Sequence, residues 1–114
     1  MSRLRLLAED FVLHYFGTSP LAGDHVGKAA ATRVLIEATQ RSGRQLDAIE
    51  DVMAGATFGA IVARERVGHG HDARVIRRVF LYRVRDGRLA ECWLYDEDQR
   101  AMDELWSAAG SRPD

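Results

Sequence analysis

Few residues in this chain combine a reactive type with a telling place, and His14 leads them. It sits in Phe11-Val12-Leu13-His14-Tyr15-Phe16, a short run of β-formers bounded by Gly17. An imidazole titrates near neutrality and can abstract a proton as a general base. A histidine on a half-buried strand can equally spend its nitrogens on a neighbour. Asp96 lies two residues beyond Leu94 and so on the same strand face. Its carboxylate either reaches the mouth of a pocket or, with Asp98, caps the helix that follows. Tyr82 alternates with Arg78 and Phe80 on one face. If that face lines a pocket, Tyr82 and Arg78 are its donors. Otherwise Arg78 is surface charge on an edge and Tyr82 a core residue with its hydroxyl at the rim. His14, Asp96 and Tyr82 are thus the catalytic candidates. Phe16, Arg78, Phe80, Cys92 and Leu94 are the candidate ligand-binding residues.

Other constellations are weaker. His69-Gly70-His71-Asp72 places two histidines in a glycine turn without a third ligand elsewhere, which fits an exposed loop better than zinc. No metal and no cofactor are expected. Cys92 shares a face with Leu94 and has no activating neighbour, so it is expected to act as a small buried hydrophobe. A Gly-x-Ser-x-Gly, a phosphate loop and a dinucleotide fingerprint are all absent.

The elements that must hold these residues follow from periodicity. Leu4, Leu6, Leu7 and Ala8 suggest the end of a helix, stopped by Glu9-Asp10, with a strand over 11–16. A turn-rich stretch follows from Gly17 to Asp24. From Lys28 to Arg41 the spacing of Ala31, Val34, Leu35 and Ala38 predicts a helix, closed by Ser42-Gly43. The period then becomes alternating. Strands are predicted over 46–53, 58–67, 74–85 and 89–95, with a turn at 68–72 and a hairpin at Asp86-Gly87. Ala101, Met102, Leu105 and Trp106 form the apolar face of a short last helix. Consecutive strands with short turns pair antiparallel. Helices set apart from a run of strands indicate α+β. A curved sheet with helices across its open side encloses a cone, a natural small-molecule pocket.

Composition narrows the classes. The 114 residues are 46% hydrophobic and 29% charged, so they suffice for one domain with a core. Residues 1–109 are expected to form that domain, and 110–114 a flexible tail. A net charge of -1 gives no basic surplus for nucleic acid or an anionic membrane. One cysteine cannot form an internal disulfide, and the N-terminus lacks the pattern of a secretory signal. A cytoplasmic location is the expectation. Val79 and Leu81 share a face with Arg77 and Arg83, and Trp93 and Tyr95 with Glu91 on the next strand. Large aromatics beside arginines suit a subunit interface, so a homodimer through this face is expected.

Several segments carry a resemblance. They are Leu7-Ala8-Glu9-Asp10, Gly17-Thr18-Ser19-Pro20-Leu21-Ala22-Gly23, the stretch Val84-Arg85-Asp86-Gly87-Arg88-Leu89-Ala90-Glu91-Cys92-Trp93, and Asp98-Gln99 with Asp103-Glu104-Leu105-Trp106. Together they resemble the nuclear-transport-factor-two-like superfamily, in its SnoaL-like and ketosteroid-isomerase-like branch, over essentially the whole chain. The resemblance implies an α+β cone: a strongly curved antiparallel sheet wrapped by helices. Members usually open with a helix of about two to four turns. Here only its last turn is expected, so either the true start lies upstream or the lid helix is shortened. The superfamily hosts isomerases, aldol-type cyclases, epoxide hydrolases, dehydratases and binding domains. In the isomerases, the carboxylate base on the first strand matches His14, and the oxyanion donor matches Phe80, which donates nothing. In SnoaL-type cyclases, which share Glu91-x-Trp93, the acid-base aspartate matches Leu94. An Asp-Arg-Asp trio of the epoxide-hydrolase kind is not found at matching positions. Family members dimerise through the convex face, in agreement with Val79, Leu81, Trp93 and Tyr95.

Three functions remain open. One is a proton-transfer enzyme of isomerase or cyclase type, acting on an apolar, carbonyl-containing molecule with His14 as base. Another is a non-catalytic ligand-binding or accessory dimeric domain. The third is a dimerisation module whose pocket is filled by side chains.

Overall fold

The computed structural model describes residues 6–104, the side chain of Asp72 excepted. Its elements are β1 (Leu7–Tyr15), β2 (Gly23–Val26), α1 (Lys28–Ser42), β3 (Gln45–Ala54), β4 (Phe58–Val67), β5 (Arg74–Arg85) and β6 (Arg88–Asp96). A 3-10 turn covers Gly70–Asp72, and a helical segment covers 99–104. The six strands form one sheet in the order β2-β1-β6-β5-β4-β3. The sheet is curved and unclosed, so the architecture is α+β.

Local rules account for most of the elements. The stripe Ala31, Val34 and Ala38 of α1 is buried, as the helical spacing predicts. Gly43 ends the helix at φ 64°, a left-handed cap that glycine adopts without steric cost. Asp86 and Gly87 have φ of 53° and 74°, the positive pair that a two-residue hairpin turn requires. Register slips between Leu46 and Ala48, between Ile49 and Asp51, and between Arg83 and Val84 mark irregularities in the ladders. Such slips add bend and twist to a sheet.

The core lies on the concave face. Phe11, Leu13 and Tyr15 of β1 and Leu94 of β6 meet Ala31, Val34 and Ala38 of α1. A smaller cluster joins Val67, Ile76 and Met102, which brings the 99–104 segment against β4 and β5.

Three expectations need correction. Leu7 and Ala8 belong to β1 rather than to a helix end, because Leu7 pairs with Leu89 and Ala8 is buried. The earlier part of that expectation, at Leu4, lies outside the described residues. The turn-rich stretch runs at Gly23 into β2, a short strand whose residues are mostly exposed and show no alternation; its pairing with β1 creates it. Finally, β1 joins β6 in parallel, so the sheet is not purely antiparallel. Short turns dictate antiparallel pairing only between neighbours in sequence. Ala101 and Met102 are buried as expected, whereas Leu105, Trp106 and the tail at 110–114 lie outside the described residues.

Leu13 is fully buried between α1 and β6. The substitution Leu13→Ala should cost about 2–5 kcal/mol in urea unfolding, the usual range for a core leucine.

Candidate functional site

The concave face holds a hollow of about 300 Å³, walled chiefly by Ile61, Phe80, Tyr82, Val84, Leu89 and Cys92. Cross-strand register assembles it: Ile61 faces Phe80, and Tyr82 faces Cys92. Gly59 sits opposite Tyr82, and the tyrosine ring lies where a β-carbon at this position would project. A glycine in mid-strand thus lets an aromatic ring lie flat on β4 and fixes one wall. Burial pushes the Cys92 thiol up to about 12, so it is a neutral thiol rather than a nucleophile. The walls are mostly apolar, with the Tyr82 hydroxyl, the Cys92 thiol and the Arg88 side chain as polar points. Among the described residues, neither a carboxylate nor an imidazole lines this hollow.

Tyr82, Phe80 and Cys92 are therefore together, as expected. Leu94 points to the same face but is sealed into the core beneath α1. Arg78 is 4% exposed, so it is not the edge charge that one alternative supposed. Its Nε and Nη2 donate to the two oxygens of Asp96 at 3.0 and 3.1 Å. Arg44 donates to Glu65 and approaches Asp96 at 3.5 Å, while Glu65 lies 3.6 Å from Arg78. Two guanidinium and two carboxylate groups thus neutralise each other in a buried cluster. Burial alone would lower the Arg78 pKa, but the hydrogen bonds and charge of Asp96 and the charge of Glu65 raise it. The Tyr15 and Phe80 rings flank this guanidinium at 6.0 and 5.7 Å. Asp96 is consequently tied up at the floor of the sheet instead of standing at a pocket mouth. The cap belongs to Asp98, whose carboxylate accepts from the Ala101 amide at 3.0 Å.

His14 is placed on the opposite face. Leu13 and Tyr15 point into the core, so the residue between them must point out. Its Nδ1 lies 2.7 Å from Asp24 and its Nε2 2.5 Å from Glu91, with Trp93 stacked on it at 5.1 Å. Arg83 donates to the other oxygen of Glu91 at 3.1 Å. A chain Asp24–His14–Glu91–Arg83 therefore crosses β2, β1, β6 and β5 on the convex face. Burial depresses the His14 pKa, but hydrogen bonds to Glu91 and Asp24 outweigh it and leave the pKa raised. The bond from His14 holds the Glu91 carboxyl below its usual range. An imidazole bonded to a carboxylate on each side favours the imidazolium, which already holds the proton a base must take. The expectation of an inward-facing base is thus corrected. Phe16, expected to contact ligand, is also displaced from the hollow: it is exposed and stacks on Tyr95 at 5.0 Å.

The residues that sequence reasoning missed are Arg44, Glu65, Asp24 and Glu91 as partners. Glu65 carried a signal, since it alternates with Ile61, Ala63 and Val67 and so shares their inward face. Arg44, just after the helix cap, carried none.

No family profile matches the chain. No curated protein matches it either. Solved structures do. A protein of unknown function with a cystatin-like fold from Xanthomonas campestris is 24% identical, with a TM-score of 0.79 over 89% of this chain and 80% of that one. An NTF2-like protein of unknown function from Mesorhizobium loti is 26% identical, with a TM-score of 0.65 over 82% and 74%. A putative SnoaL-like polyketide cyclase from Jannaschia is 12% identical, with a TM-score of 0.73 over 96% and 76%. The fold is therefore NTF2-like, and SnoaL-like proteins are among its structural neighbours. No helix among the described residues is long and apolar enough to cross a membrane.

The His14 chain predicts a pH signature. A raised histidine pKa stabilises the fold fully below its ordinary value of 6.5, and the effect fades as pH rises through the raised value. A lowered Glu91 pKa adds stability above its ordinary 4.5, lost on acidification. The difference in thermal midpoint between the native chain and His14→Gln should therefore be widest between those two values and shrink on the alkaline side. A pH-independent difference would contradict this.

Proposed function

We propose that this NTF2-like protein binds an apolar small molecule in the hollow between β4, β5 and β6. The observation that carries this reading is the hollow itself, about 300 Å³ and walled mostly by aliphatic and aromatic side chains, with Arg88 also lining it. Such a volume is at the small end of ligand pockets, which suits a compact ligand. The Tyr82 hydroxyl and the Cys92 thiol offer orienting contacts to a carbonyl or hydroxyl group on it. Proton transfer on such a ligand would need a free acid or base on these walls. His14 faces away between two carboxylates, and Asp96 is engaged by Arg78. These facts favour binding without catalysis over an isomerase- or cyclase-type reaction, and they leave room that a pure dimerisation module would fill.

The test uses a fluorescent apolar probe such as anilinonaphthalene sulfonate. Cys92→Phe places a ring in the hollow and should weaken probe binding at least ~10-fold, about 1.4 kcal/mol. His14→Gln should leave binding unchanged. Equal affinity in the native chain and Cys92→Phe would reject the hollow as the site. Loss of turnover in His14→Gln, on a carbonyl substrate the native chain converts, would restore the enzymatic reading.

The same proposal includes a homodimer through the convex face. Val79, Leu81 and Trp93 are half-buried there, beside the exposed Tyr95, Phe58 and Met53. Phe58 lies 6.2 Å from Trp93, which makes a continuous apolar surface. An isologous contact would cover this surface on both copies at once. Trp93→Arg should then yield monomers or insoluble chain on a sizing column, because unpaired charge would enter the contact. An unaltered dimer would exclude this face.

A further inference from the structure

Resting on the reading of the hollow as a ligand site, we propose that its ligand is a compact carboxylic acid whose charged end lies on Arg88. Arg88 is the only charged residue among the described residues that line the hollow. The others offer aliphatic and aromatic surface, a hydroxyl and a thiol. A single cation beside apolar walls makes the local potential positive, and walls of low polarity focus it.

The hairpin fixes where that charge sits. Asp86-Gly87 turns the chain, so Arg88 opens β6 opposite Arg85, while Val84 faces Leu89 and Tyr82 faces Cys92. Tyr82 and Arg85 are three residues apart on β5, about 10 Å at ~3.3 Å per residue. Arg88 therefore stands at one end of the hollow, and the Tyr82 and Cys92 pair lies deeper along it. Arg88 is exposed, so its long side chain serves that end while its head stays in water. A ligand with a ring against Phe80 and Tyr82 and an acid group at its tip matches this spacing.

Arg88 is also available to an anion. Two arginines directly opposite each other are unfavourable. Asp10 offsets one of them, bonding to Arg85 at 2.5 Å, and a ligand carboxylate offsets the other. Among the described residues Arg88 forms no ion pair. Glu9, Asp10 and Asp86 share a second cleft with Arg85 and Arg88 at the hairpin. Glu9 lies 3.6 Å from Lys28, and Asp10 is engaged by Arg85. Asp86, the remaining carboxylate of that cleft, is exposed, so water already solvates it and it competes weakly. The guanidinium presents a planar fork of donors that a carboxylate meets with two bonds.

Calorimetric titration of 2-naphthoate and its neutral isostere 2-naphthamide tests this. The acid should bind the native chain about 3–5-fold tighter at low ionic strength, the range of an exposed ion pair. Added salt should narrow the gap. Arg88→Gln should erase the preference, and Arg88→Lys, which keeps the charge, should retain part of it. Equal affinity of the two probes for the native chain overturns the proposal, as does a preference that survives Arg88→Gln. Cys92→Phe separates this inference from the reading beneath it. If that variant weakens naphthamide binding while the native chain shows no preference for the acid, the hollow stands and only the anionic ligand falls. If Cys92→Phe leaves naphthamide affinity untouched, or neither probe binds, both fall.

Discussion

The parallel contact between β1 and β6, the first strand against the last, sets the rest of the structure. Side chains on a strand alternate strictly between faces. Once Leu13 lies beside Cys92, and His14 beside Trp93, the inward set is Phe11, Leu13, Tyr15 and Leu94. The outward set is His14, Glu91 and Trp93. Helix α1 has a surface to cover only because of the first set. The charged chain across the convex face exists only because of the second. A slip of one residue would exchange the two faces and leave an imidazole buried against α1.

The two charged clusters show how burial changes what the same residue types do. Arg44, Glu65, Arg78 and Asp96 are shut away from water, where removal of any one leaves an unpaired charge. One flaw stands within it: Arg44 Nε is buried without a partner among the described residues. That is a cost of fitting two planar cations into one site. The convex chain is partly solvated, with Asp24 largely exposed, so salt and pH reach it readily. The first cluster specifies how β4, β5 and β6 meet the end of α1. The second fastens the short β2 strand to its neighbours.

Much of this fold was legible in the residues, and the reasons are local. Helix α1 and strands β3 to β6 were visible because their periodicity and their caps lie within each segment. Gly43 and Asp86-Gly87 mark ends that need positive φ. The N-terminal part of β1, the whole of β2 and the parallel pairing were not visible, since partners distant in sequence create them. The candidate site divides the same way. Phe80, Tyr82 and Cys92 followed from alternation. His14 did not, because β1 is apolar on both sides, with Val12 and Phe16 flanking His14 and Leu13 and Tyr15 between them. Such a pattern shows a strand without showing which face is inward, and correspondence with a distant family chose the wrong one.

The irregular ladder of β3 has a consequence for solubility. This strand is ten residues long, ends the sheet, and bears several exposed aliphatics, which together resemble a template for fibril growth. Its register slips interrupt the flat run of backbone donors and acceptors that an incoming chain would need. Asp47 and Glu50 are paired with Arg64 of β4 and Arg77 of β5, and Asp51 adds an exposed negative charge to the same ten residues, as a gatekeeper against self-association. The bends that give the sheet its curvature therefore also keep neighbouring molecules from adding to its rim.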